Sequence, residues 1–343
     1  MIIEDIREVI LNYVEKENDP LERIIGQNDA KRKILSSLIC GHHILIEGNP
    51  GVGKTTLARY IADLLPEVKS VKGCPYHCEI TKPVCPICLN MKLNNESFEE
   101  ELVPGIKRFV RIQGSPDLTA EDLLGDIDPS RAFKYGPQDY RAFTPGKLLK
   151  GNRGIVFFDE LNRVSEKLQN ALLQVLEEGV ATIGPYDVDY PSNFVMIATM
   201  NPKERAGVEE LSDVLLDRFD ISKMTYPETI EEDKRIVLEN AEMLPNVNVP
   251  DDVLESIVRL VRRTREDVWS KDIEQGASAR ACLSLYEKVQ SSALLDKRNV
   301  VNIEDVKEMS FSSVLGRIKA SSSSQYYDEP EVLMNKIIEE VIA

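Results

Sequence analysis

The chain has 343 residues, 42% of them hydrophobic, enough to bury a sizeable core and to form about two domains. Its 58 acids against 42 bases leave a formal charge of -16, so the surface repels polyanions and nonspecific nucleic-acid binding is disfavoured. No apolar run is long enough to span a bilayer, and the opening residues carry acids where a secretory signal would carry bases, which argues against membrane insertion and for the cytoplasm.

In chain order, Ile2, Ile3, Ile6, Val9, Ile10, Tyr13 and Val14 fall at helical spacing and predict an amphipathic packing helix ending before Asn18-Asp19-Pro20. From His43 a short apolar run, a glycine loop and a helix follow one another. Further apolar runs over 109–113, 154–158 and 193–199 alternate with helical stretches such as 165–177. Strands alternating with helices imply an α/β fold with a mostly parallel, doubly wound sheet. After Tyr226-Pro227 the pattern is of helices alone, as over 253–261 and 279–294. This sets a boundary near Pro227 between an α/β domain (1–227) and a smaller all-α domain (228–343). Near the end, Ser321, Ser322, Ser323 and Ser324 followed by Gln325-Tyr326-Tyr327-Asp328-Glu329-Pro330 read as a linker. Val332, Leu333, Ile337, Ile338 and Val341 then form one apolar stripe that either docks back or binds a partner.

Gly48-Asn49-Pro50-Gly51-Val52-Gly53-Lys54-Thr55 has the spacing of a phosphate-binding P-loop, in the required place between an apolar run and a helix. Glycines let backbone N–H groups curl around phosphates, and the helix start adds positive dipole. Lys54 reaches the β and γ phosphates, Thr55 ligates Mg²⁺, and Thr56 continues the nucleotide-binding set. Ile155-Val156-Phe157-Phe158-Asp159-Glu160 reads as a buried strand ending in two acids: Asp159 for the Mg²⁺ shell and Glu160 as the base that polarises water. Taken alone, two acids at a strand end also suit a solvated turn; with a P-loop upstream they suit ATP hydrolysis. The run before Asn201-Pro202 sets Asn201 at the carboxyl edge of a strand, where it could orient the attacking water.

These motifs, together with Ile25-Gly26-Gln27, Phe157-Phe158-Asp159-Glu160-Leu161-Asn162-Arg163, Ala198-Thr199-Met200-Asn201-Pro202, Leu215-Leu216-Asp217-Arg218-Phe219 and Gly276-Ala277-Ser278-Ala279-Arg280, resemble the AAA+ ATPases. Within them the likeness is to the group of the magnesium chelatase ATPase subunit and MoxR, from Ile24 to about Arg317. The resemblance implies that Asn201 is the first sensor and Arg218 the arginine finger reaching a neighbour's γ-phosphate. Arg280 becomes the second sensor on a helical lid, acting in its own subunit or across the interface. It implies a ring, of six subunits. Residues 115–151 resemble the insertion interrupting the second helix in magnesium chelatase, MoxR and minichromosome-maintenance ATPases, and residues 180–194, around Gly184-Pro185, resemble the hairpin before the first sensor.

Cys74, Cys78, Cys85 and Cys88 crowd into an inserted segment at about 70–92, whereas Cys40 and Cys282 stand alone. Four thiolates this close could enclose one tetrahedral Zn²⁺, or they could be free or redox-active thiols. The segment resembles the cysteine-bearing insertion of magnesium chelatase ATPase subunits, some of which are redox-sensitive. The leading expectation is an ATP-driven motor that remodels a partner, a von Willebrand A-domain protein or chelatase-type subunit. A nucleic-acid translocase like the minichromosome-maintenance ATPases is the alternative, but Tyr186-Asp187-Val188-Asp189 is acidic where that role wants bases. A nucleotide-gated scaffold without turnover is a third, and the presence of Glu160 argues against it.

Overall fold

The computed structural model describes residues 2–137, 139–178, 180–183, 186–189, 193–201 and 209–342. By compactness the chain divides into two units, one of Met1–Asn49 and Gly53–Met224, the other of Pro50–Val52 and Thr225–Ala343.

The first unit is organised by five strands, β1 (His43–Glu47), β2 (Phe109–Gln113), β3 (Ile155–Asp159), β4 (Val195–Met200) and β5 (Phe219–Lys223). They lie in the order β5-β1-β4-β3-β2, every neighbour parallel. A parallel sheet covered on both faces demands near-continuous apolar strands. Ile44, Leu45 and Ile46 of β1, Ile155, Val156, Phe157 and Phe158 of β3 and Met196, Ile197 and Ala198 of β4 are all fully buried. β5 escapes the apolar-run signal because it is an edge strand that buries only Phe219 and Ser222. Register pairs Glu47 with Met200 and Gln113 with Asp159, so the residues that follow β1, β2, β3 and β4 emerge along one edge.

Helix α1 (Ile2–Glu15) buries Ile2, Ile6 and Ile10 as one stripe, and Ile6, Val9 and Ile10 pack with Leu35 and Leu38 of α2 (Asn28–Cys40). The N-terminal helix is thus a packing helix. α3 (Lys54–Leu64) follows the glycine loop, α4 (Pro86–Leu93) lies in the cysteine segment, and α5 (Glu166–Glu178) follows β3. The cysteine segment rises from an antiparallel pair of strands, Val68–Val71 with Glu100–Val103. Residues 115–151 hold short helices and a ribbon of Gly125–Ile127 with Phe143–Pro145. Val180–Ile183 pairs antiparallel with Tyr186–Asp189 as a hairpin, while Gly184, Pro185 and Pro202 lie outside the described residues.

The second unit packs α6 (Ile230–Asn240), α7 (Asp251–Arg263), α8 (Ala279–Leu295), α9 (Ile303–Ser313) and α10 (Pro330–Ile342) around one apolar core. It is not of helices alone: Ile273–Gln275 pairs with Lys319–Ala320, strands too short to leave an alternating pattern. The stretch expected as a linker is tied down. The Ser321 N–H donates to the Asp272 carbonyl at 2.8 Å, the Ser324 hydroxyl to the Asp272 carboxylate at 2.6 Å, and Tyr326 meets Trp269 edge-on. Of the two fates open to the last helix it takes the first: α10 docks back, with Leu333, Met334, Ile337 and Ile338 buried in the unit's core.

Candidate functional site

The glycine loop leaves β1 with the Gly48 N–H donating to the Met200 carbonyl at 3.3 Å, which pins its start to the end of β4. Gly51 (φ +79°) and Gly53 (φ +97°) have left-handed backbones that a Cβ would strain. Gly53 begins α3 with no side-chain cap, the condition under which first-turn N–H groups serve an anion. Lys54 Nζ folds over the loop, donating to the carbonyls of Gly48 (2.5 Å) and Asn49 (3.1 Å). Thr55 is half-buried and Thr56 exposed in the first turn of α3. Left-handed glycines, an uncapped helix start and one lysine fit a polyphosphate.

Asp159 closes β3 with both oxygens held: Oδ1 accepts from the Thr199 hydroxyl at 2.8 Å and Oδ2 from Arg111 Nη2 at 2.7 Å. Glu160 sits at φ +58°, an uncommon backbone for a residue with a Cβ. Its N–H donates to Thr199 Oγ1 at 2.9 Å, and its Oε2 accepts from Gln113 Nε2 at 2.8 Å and pairs with Arg163 at 3.2 Å. Gly114 makes room for this turn: its N–H donates to the Asp159 carbonyl at 2.7 Å, and a Cβ there would lie 2.0 Å from the Glu160 carbonyl oxygen. Asn201 stands one residue past β4, buried, between the ends of β1 and β3.

The sheet therefore brings the glycine loop, Asp159, Glu160 and Asn201 to the carboxyl ends of three adjacent strands. Arg218 is not among them. It precedes β5, whose first residue, Phe219, is in register with His43 at the start of β1, so Arg218 lies at the amino end of the sheet. It bonds the Glu177 carboxylate of α5, with the adjacent Asp217 farther off at 3.9 Å. Arg280 belongs to the second unit, exposed in the first turn of α8. The loop before it is fixed by Ala277 N–H to Thr264 Oγ1 (3.0 Å) and Tyr226 hydroxyl to the Gly276 carbonyl (3.2 Å).

Sequence reasoning missed Arg111, Gln113, Gly114, Arg163 and Thr199 as members of the site. Thr199 and Arg163 stand inside the motifs, which was their only signal; Arg111 and Gln113 join Asp159 and Glu160 through the register of β2 on β3. Cys74, Cys78, Cys85 and Cys88 do meet: their sulfurs lie within 4.8 Å of one another, buried and unbridged.

Residues 100–221 match the family described as ATPase family associated with various cellular activities (AAA), and residues 20–77 match Magnesium chelatase, subunit ChlI. The chain is 30% identical over 321 residues to the magnesium-chelatase subunit ChlI homolog of Methanocaldococcus jannaschii, covering 84% of this chain and 82% of that one. To the chloroplastic magnesium-chelatase subunit ChlI-1 of Arabidopsis thaliana it is 33% identical over 205 residues, 58% of this chain and 46% of the plant protein, so the match spans about half of that protein's length. Among solved structures, the complex between subunits BchI and BchD of magnesium chelatase aligns over 92% of this chain and 98% of that one, at 20% identity and a TM-score of 0.47. With motifs, sheet order and relatives in agreement, the chain belongs to the AAA+ ATPases, in the group of the magnesium chelatase ATPase subunit.

Proposed function

We propose that this chain is an ATP-hydrolysing motor that drives movement in a partner protein, with residues 1–227 as the nucleotide-binding domain and 228–343 as its helical lid. The observation that carries the reading is the gathering of the glycine loop, Asp159, Glu160 and Asn201 on the carboxyl ends of β1, β3 and β4, where ligands of open α/β sheets bind.

In this reading the N–H groups of Asn49, Gly51, Val52 and Gly53, with those of Lys54, Thr55 and Thr56, cradle the phosphates around Pro50, which has no N–H to give, while the Gly48 N–H stays on the Met200 carbonyl. Lys54 exchanges its two loop carbonyls for phosphate oxygens. Thr55 and Asp159 would hold Mg²⁺. ATP and Mg²⁺ supply the phosphoanhydride bond and the charge neutralisation that its cleavage needs. Glu160 accepts the proton of the attacking water; among the described residues Gln113 and Arg163 both meet its Oε2, which leaves Oε1 for that proton. Asn201 orients the water.

Arg218, at the amino end of its own sheet, serves a neighbouring subunit, which is why the reading requires a ring; six is the number the family resemblance suggests. Arg280 acts from the lid. The partner is a von Willebrand A-domain protein or a chelatase-type subunit, met in the cytoplasm; among the described residues no helix is long and apolar enough to cross a membrane. Its acidic hairpin and net charge of -16 support a protein partner over nucleic acid.

Glu160→Gln tests this reading. Turnover should fall by about 10²- to 10⁴-fold with ATP affinity nearly unchanged, and the ATP-bound variant should hold its partner during affinity purification. Hydrolysis at the normal rate would remove Glu160 as the base, and recovery of nucleic acid in place of protein would move the function to translocation.

A further inference from the structure

Between the antiparallel strands Val68–Val71 and Glu100–Val103 the chain makes an excursion whose outer surface is largely polar and whose interior gathers four cysteines with Tyr76, Pro83 and Pro86. Cys74 retains 8% of its accessible surface, Cys78 and Cys85 none, and Cys88 2%. Their Sγ atoms all lie within 4.8 Å of one another, and Cys74 Sγ is 3.8 Å from Cys85 Sγ. Four thiolates on one Zn²⁺, with Zn–S of about 2.3 Å, sit at the corners of a tetrahedron whose edge is about 3.8 Å. Disulfides would need pairs at about 2.05 Å, and none of the four is bridged. An iron–sulfur cluster, with its thiolates on separate irons, would hold them farther apart.

The backbone around the sulfurs is arranged for anions. Val84 and Cys85 N–H groups each lie 3.3 Å from Cys78 Sγ, and the Cys88 N–H lies 3.4 Å from Cys85 Sγ. Cys85 is the N-cap of α4, with Pro86 at its first position and Cys88 in its first turn, so two sulfurs also meet the positive end of a helix. The other two come from a tight turn in which the His77 N–H donates to the Cys74 carbonyl at 3.2 Å and His77 takes φ +50°. Donors aimed at sulfur suit thiolates, and four buried thiolates require a cation.

We propose that Cys74, Cys78, Cys85 and Cys88 bind one Zn²⁺ as a closed structural site that holds residues 71–103 in their fold. Binding replaces four S–H protons with four Zn–S bonds and releases those protons to solvent. With four protein ligands and no open position the ion has no place for substrate, so its role is to fold the insertion. This inference stands apart from the ATPase reading, since none of its ligands lies at the sheet's carboxyl edge.

The full chain, purified without chelator, should contain one zinc per polypeptide and negligible iron by plasma mass spectrometry. Cys78→Ser and Cys88→Ser should each lower zinc occupancy at least 10-fold, while ATP binding persists. Because such variants could misfold for other reasons, the unmodified protein loaded with Co²⁺ should show the visible bands and sulfur-to-cobalt charge transfer of a tetrahedral thiolate site. Hydrogen exchange over residues 71–103 should accelerate on zinc removal while exchange in β1 and β3 stays unchanged. Metal-free protein whose four thiols alkylate freely or close into dithiothreitol-reversible disulfides would overturn the proposal, as would zinc retained at full occupancy in both variants.

Discussion

The two ends of the parallel sheet solve the burial of polar groups in opposite ways. At the carboxyl end Asp159 pairs with Arg111 and Glu160 with Arg163 while 16% to 47% of each side chain stays accessible. At the amino end some polar groups turn inward instead, although His42 and Asp220 pair at the surface. Arg108 is fully buried, its guanidinium donating to the carbonyls of Pro66 and Arg153, and Gly154 lies so close that a Cβ would meet the Arg108 carbonyl oxygen at 2.0 Å. His43 packs against Phe194 and Phe219 and accepts the Met196 N–H on Nδ1 at 3.0 Å. The end that must trade partners with a ligand keeps its bonds between side chains within reach of water; the end that holds the sheet together commits the Arg108 guanidinium and the His43 ring to backbone.

Arg218 is the exception, a part of the proposed machinery at the closed end, and it gives the largest expected effect. Arg218→Ala should lower turnover of the assembled protein by about 10³-fold or more with little change in melting temperature. Mixing it with Lys54→Ala subunits, which keep Arg218 but lose ATP binding, should restore part of the rate if the arginine serves a neighbour. Lack of any recovery would return Arg218 to its surface pair with Glu177.

Gly114→Ala probes the open end. The added Cβ collides with the Glu160 carbonyl at 2.0 Å, and the variant should lose about 1–3 kcal/mol in urea unfolding, the scale of an overpacked core. Its turnover should fall further than its ATP affinity.

His43 probes the closed end. Burial holds its pKa down to about 4, and protonating Nδ1 would also break the bond from Met196. The unfolded imidazole binds its proton near pH 6.5 and the folded one only near 4, so the unfolded state holds more protons between them. This contribution is complete above pH 6.5 and is lost as pH falls toward 4, by up to about 3 kcal/mol. Urea titrations should show a shallower acid-side decline for His43→Asn, with turnover at neutral pH near normal. Parallel declines in both proteins would refute the assignment.

What could be read from sequence was whatever is local. The glycine loop and the paired acids of β3 are contiguous strings in which spacing and chemistry coincide, and the buried strands announced themselves as apolar runs. Arg111, Gln113 and Gly114 stand more than forty residues from Asp159 and Glu160 and reach them only because β2 pairs with β3 in one register, Arg111 at Asp159 and the other two at Glu160. β5 was hidden because, as an edge strand, it buries only two of its five residues and leaves no apolar run. The stretch from Ser321 to Pro330 has the composition of a tether, yet a few bonds to Asp272 and the burial of Tyr326 against Trp269 fix it, contacts that composition does not encode. The cysteine spacing foretold a meeting of sulfurs; the backbone N–H groups aimed at them came from the turn and from α4.

The docking of α10 bears on how the chain is made. The sheet of the first unit has all its strands once Lys223 has been added, but the core of the second still lacks Leu333, Met334, Ile337 and Ile338. At roughly 5–20 residues per second the intervening 115 or so residues take about 6–23 s to synthesise. During that interval a nascent chain can carry a closed sheet beside a helical core with its last wall missing, and α7 and α9 must wait with apolar faces uncovered until α10 leaves the ribosome.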